Sequence, residues 1–135
     1  MRCVLAPLAV VLALVLAGCG GASDKNSAKD FTGDQAKVAK AVEDLQSAAK
    51  DRDGAKICNL LTAQLRDSIS ADACPTTVKA AIKETDNVDL IVTKVLIAGT
   101  SATATVRQKL SDKRSRVVEV PLVKSAAAWR IAQLP

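Results

Sequence analysis

The sequence predicts an α+β domain in which two to three N-terminal helices pack on a four-stranded antiparallel meander. Three observations carry this. Apolar residues recur at helical spacing as far as Ile82. Past Asp86 the pattern turns into short β-rich runs divided by turn signals. The connections between those runs are too short for parallel crossovers, so the strands return as hairpins. The chain of 135 residues, less its N-terminal segment, suffices for one domain with a modest core.

The N-terminus reads as an address rather than as part of the domain. Arg2 precedes an apolar run from Val4 to Ala17, interrupted only by Pro7. This run is shorter than the ~20 apolar residues of a spanning helix and within the ~7 to 15 of a signal-peptide h-region. Leu16-Ala17-Gly18-Cys19 resembles the lipobox of bacterial lipoproteins, in which the cysteine thiol receives a diacylglyceryl group and the chain is cut just before it. On this reading residues 1–18 are a signal peptide and Cys19 is the lipidation site. The partner it implies is a membrane, with the protein anchored on the outer face of the bacterial cytoplasmic membrane. The competing reading is ordinary secretion with cleavage after Ala22, where Gly20 and Ala22 fill the small-residue positions. Residues 19–33 hold GGASDKNSAKD, a small and charged stretch without apolar period, and are expected to form a flexible tether reaching roughly 20 Å at ~5 to 6 Å × √n. The domain proper spans residues 34–135.

Its first helix is expected from about 34 to 51, with Val38, Val42, Leu45 and Ala49 on one face, Asp34 in the first turn and Lys50 near the end. Asp53 suits the N-cap of a second helix whose stripe is Ile57, Leu60, Leu61 and Leu65. Pro75 suits the first turn of a short third helix bearing Val78, Ala81 and Ile82.

Four runs follow: 88–99, 102–110, 116–123 and 128–134. Turns fall at Gly99-Thr100, Ser111-Asp112-Lys113 and Lys124-Ser125. In the first run Leu90 and Val92 alternate in one parity and Val95 and Ile97 in the other, which predicts a bulge near Thr93-Lys94. Pro121 predicts that the third run is partly an edge or ends its pairing there.

The cysteines sort by position. Cys3 leaves with the signal peptide and Cys19 carries the lipid, so Cys58 and Cys74 remain as an even pair in an oxidising compartment. A structural disulfide is expected, two buried free thiols being the alternative. With no CxxC and no histidine, the usual Cys/His zinc sites are excluded, and neither metal nor cofactor is expected.

The order of lipobox, polar tether, helix pair containing ICNLLTAQLRDSI, a second cysteine before Pro75 and four strands closing on VPLVKSAAAWRI resembles small actinobacterial lipoproteins with a nuclear transport factor 2-like, or cystatin-like, domain. The resemblance implies a sheet curled around the helices into a cone that can hold a small apolar ligand. It also implies that a few relatives are enzymes of hydratase or isomerase type, using Asp with Tyr, or His with Asp and Tyr, inside the cone. This chain has neither Tyr nor His, a departure that counts against that chemistry.

Other catalytic patterns fail on their own terms. Ser47-Ala48-Ala49-Lys50 matches S-x-x-K and Ser111-Asp112-Lys113 lies near S-D-N, but K-T-G is missing; a solvated helix end accounts for the first. Asp51-Arg52-Asp53-Gly54 begins like a calcium loop, yet Leu60 stands where the bidentate glutamate belongs. Asp86 and Asp89 flank the first strand and read as turn residues. Trp129, on an inward strand position, is expected in the core, or alternatively as a pocket wall.

The formal charge is +5, and the hairpin RQKLSDKRSR concentrates it: Arg107, Lys109, Lys113, Arg114 and Arg116 face only Asp112. Nucleic acid does not fit a protein outside the cytoplasm with 1% aromatic residues. The hairpin is either a solvated turn or a contact for an anionic surface. The functional expectation is a non-catalytic envelope module for a partner protein or small apolar ligand, with a cone-fold enzyme as the alternative.

Overall fold

The computed structural model describes residues 28–83, 89–110 and 113–135. The expected signal peptide, Cys19 and most of the tether lie outside these, as do Asp86, Ser111 and Asp112.

A single 3-10 turn, Ala28–Asp30, leads into α1, Gly33–Lys50. The helix buries Val38, Ala41, Val42, Leu45 and Ala48, spaced three and four apart as one face requires. It ends where Asp51 N bonds back to Ser47 O and Asp53 N to Ala48 O, with Arg52 in the left-handed region at φ 55.

The expected second helix is two helices, α2, Gly54–Leu60, and α3, Ala63–Ser70; with α4, Cys74–Lys83, the described residues hold four α-helices. Asp53 caps α2 as expected, accepting from Lys56 N at 2.9 Å. The break follows from two competing attractions. Thr62 Oγ1 caps α3 by accepting from Leu65 N at 3.2 Å, and Leu61 is extended so that its side chain, 2% exposed, enters the core. The freed backbone is satisfied from across the fold: Thr62 N donates to Ile131 O at 2.9 Å, and Leu61 forms an isolated parallel bridge with Ile131.

Cys58 and Cys74 are disulfide-bonded with Cα atoms 6.3 Å apart, joining α2 to the start of α4. In the chain-entropy account a loop of this size is worth about 3 kcal/mol. Gly54 lets the same two helices meet: a Cβ there would lie 2.1 Å from Pro75 O.

The strands are β1, Asp89–Ala98, β2, Ser101–Lys109, β3, Ser115–Ser125, and β4, Ala128–Ile131, in the order β1-β2-β3-β4 and all antiparallel. Gly99 turns the first hairpin at φ 61, a conformation that costs glycine little. The predicted bulge is present: the register shifts between Val92 and Lys94, so Val92 and Val95 both point inward. Pro121 lies where β4 runs out. Its carbonyl still accepts from Ala132 N, and its strand continues to pair with β2 as far as Val123, so the proline marks a partial edge and does not end the pairing.

The helices cover one face of the sheet. Val38, Val42 and Leu45 meet Val92, Ala104, Val106, Val120, Leu122 and Ile131, which together form the core. No described helix is long and apolar enough to cross a membrane.

Candidate functional site

At one end of the sheet β1 begins, β2 ends and β3 begins, while α1 reaches its C-terminus. The two layers part there, leaving an open cavity of about 370 Å³. Its apolar walls come from each layer: Leu45 of α1, Ile57 of α2, Val78 and Ile82 of α4, and Leu90 of β1. Leu134 and Pro135 complete the lining at the chain's last residues. The volume lies at the lower end of the ~300 to 1,000 Å³ usual for small-molecule sites.

The polar groups are few and oriented. Gln108 continues the inward series of Ala104 and Val106 on β2 and is 4% exposed. Its Oε1 accepts from Nε of Arg116, its register partner on β3. A buried amide carries a heavy penalty when unpaired, so this cross-strand bond is what makes a glutamine tolerable there. Gln46 ties α1 to β1 by accepting from Leu90 N at 3.0 Å and donating to Asp89 Oδ1 at 3.1 Å. Lys50 pairs with the same carboxylate at 2.8 Å. Arg52 projects from its left-handed turn to the same lining. Among the described lining residues there is no carboxylate side chain, and the chain has no histidine or tyrosine.

The structure divides the basic hairpin that the sequence presents as one group. Alternation along β2 puts Arg107 and Lys109 in the opposite parity from Gln108, on the side away from the helices. Arg116 turns inward to the cavity. Lys113 and Arg114 form the connection, where Leu110 N donates to Arg114 O at 2.8 Å and Lys113 N to Leu110 O at 3.1 Å.

Trp129 is a core residue, 4% exposed, and is not part of the cavity lining, so the pocket-wall alternative does not describe its position. Lys124 Nζ stands 5.7 Å from its ring centroid and pairs with Asp34 at 2.9 Å. The Lys124 ammonium, then that of Lys37, holds the Asp34 carboxyl below its ordinary value. The indole Nε1 is buried without a partner among the described residues.

A wider cleft of about 760 Å³ runs between α3 and the β3–β4 turn. Of its three basic side chains, Arg66, Lys124 and Arg130, two have structural commitments: Lys124 to Asp34, and Arg130, whose Nη1 donates to Asn59 O. The smaller cavity, with apolar walls and a convergent polar mouth, is the better ligand site. Sequence reasoning missed Gln46, Arg52 and Gln108; only Gln108 left a signal, as a polar residue at an inward parity. No group of described residues could hold a metal ion.

No protein-family model matches the chain, and no curated protein matches it. Solved structures match in fold. A substituted variant designated Rd1NTF2 superposes with a TM-score of 0.51 at 13% identity, over 73% of this chain and 95% of its own. A protein of the NTF2-like family from Streptomyces avermitilis, provisionally named a dehydratase, gives 0.51 at 13% identity over 70% and 88%. A Campylobacter jejuni protein provisionally named an NTF2-like transpeptidase gives 0.48 at 19% identity over 75% and 96%. The first two show that this chain has the NTF2-like cone fold.

Proposed function

We propose that the protein is a non-catalytic binding module that holds a small apolar ligand in the cavity between helices and sheet, and that Cys19 anchors it by lipid on the extracytoplasmic face of the membrane. The observation that carries the binding reading is the cavity itself: apolar on both layers, open at one end and with only amide and cationic polar side chains among its described lining residues. An acid/base mechanism of hydratase or isomerase type needs a positioned proton acceptor, and among the described lining residues no side chain is a carboxylate, imidazole or phenol. The described cysteines, Cys58 and Cys74, are joined in the disulfide and offer no free thiol to the site. The anchoring reading is supported by Leu16-Ala17-Gly18-Cys19 after an h-region of the right length.

Titration of the membrane-isolated protein with apolar fluorophores, beside a screen for hydration and isomerisation turnover, tests the first part. Saturable binding without turnover is expected; turnover would overturn the non-catalytic reading. For the second part, metabolic acyl labelling should mark the protein and vanish in Cys19→Ser. Unchanged mass and unchanged membrane retention in that variant would sink the anchor.

A further inference from the structure

We infer that the cavity takes an amphiphile with a single apolar tail and an anionic carboxylate or phosphate head, the head bound by Arg52 and Arg116; the inference rests on the binding reading above. Size limits the tail. About 370 Å³ lies at the lower end of the ~300 to 1,000 Å³ usual for small-molecule sites, which suits one short apolar chain.

Charge selects the head. Three cations line the site, and Lys50 is already neutralised by Asp89 at 2.8 Å. Arg52 and Arg116 therefore remain as two cationic side chains at the mouth, with no carboxylate side chain among the described lining residues. An ammonium head would meet two guanidiniums, and an uncharged head would leave them unused. Arg116 is also preorganised: its Nε is taken by Gln108 Oε1, so the guanidinium plane is fixed while its two Nη groups remain to grip an oxyanion as a fork. With its oxygen thus committed, Gln108 presents its amide nitrogen as a further donor from the cavity wall. Arg52 occupies a left-handed position, φ 55, that glycine fills at less cost, and its side chain lines the mouth. Behind these heads Leu45, Ile57, Val78, Ile82 and Leu90 supply the apolar walls for the tail.

The experiment uses the membrane-isolated protein in phosphatidylcholine nanodiscs, photolabelled with a diazirine-bearing dodecanoic acid, the matching alcohol and the matching amine, with the labelled peptides mapped. The acid should label peptides containing Ile82 and Leu90 at least tenfold more than the alcohol or amine. That preference should fall to parity in Arg116→Gln and in Arg52→Gln, the second variant being independent of the Gln108 bond. Competition by lysophosphatidate against free dodecanoate then tells a phosphate from a carboxylate source. Equal labelling by acid and alcohol overturns the head-group inference and leaves the binding reading standing. No cavity labelling by any probe overturns both.

Discussion

Arg116 Nε donates to Gln108 Oε1 between register partners on adjacent strands, so the wall of the cavity is fixed by a side-chain bond lying across the β2–β3 ladder. The two partners are unequal: Gln108 is buried, whereas Arg116 belongs to an exposed stretch of its strand. Removing the arginine strands a buried acceptor, while removing the glutamine releases a cation to water. Arg116→Met should therefore lower stability by about 1 to 2 kcal/mol and Gln108→Met by less, with most of the arginine effect absent in the Gln108→Met background. Urea unfolding of the four proteins measures this, and equal costs for the two single variants would refute it.

Gly54 sits where α2 meets the start of α4, and an added Cβ would lie 2.1 Å from the Pro75 carbonyl oxygen. The obstacle is backbone and cannot rotate away. The disulfide a few residues along holds the helices together, so they cannot separate freely. Gly54→Ala is expected to destabilise the protein by about 1 to 3 kcal/mol, as overpacking does, although alanine is the better helix former. A rise in melting temperature would show that the helices accommodate it.

Arg52 offers the reverse exchange. Its φ of 55 costs a non-glycine residue on the order of 1 kcal/mol, which Arg52→Gly should recover as added stability. The same change removes a guanidinium from the cavity mouth. Thermal melts and ligand titration of one variant should thus move in opposite directions.

The Asp34 carboxyl is held below its ordinary value of 3.8 by Lys124 first and Lys37 second. A depressed folded-state value means that the contribution is complete above the ordinary carboxylate value and is lost as pH falls through and below it. Asp34→Asn should lower the unfolding midpoint at neutral pH and approach the parent in strong acid, once the carboxyl is protonated in both states. The pair is partly exposed, so added salt should narrow the difference. An undiminished gap in strong acid would assign the effect to packing.

Much of the fold is legible in the sequence because local periodicity reports local structure. The parity change from Val92 to Val95 announces the bulge, Asp53 announces a cap, and Val38, Val42 and Leu45 announce the buried face of α1. The break at Leu61–Thr62 is not legible. Leu60, Leu61 and Leu65 fit one continuous helical stripe, and the partner that draws Leu61 out of it, Ile131, lies in the last strand. The candidate site is harder still. A cavity forms where packed layers diverge, which no window of sequence records, and the inward turn of Arg116 depends on a register set across a whole hairpin. Charge counting therefore grouped five cations that the pleat distributes over different sides.

The bond from Thr62 N to Ile131 O has a consequence for the order of assembly. The disulfide joins residues separated by 16 positions and can be satisfied while much of the chain is still missing. The extended joint between α2 and α3 cannot, because its partner lies at the far end of the sheet. Loops this long close late, after their entropy has been offset by nearer contacts. The helical half is thus left with an unfinished seam until the fourth strand arrives, and truncation a few residues before Ile131 should expose Leu61 rather than merely shorten a sheet.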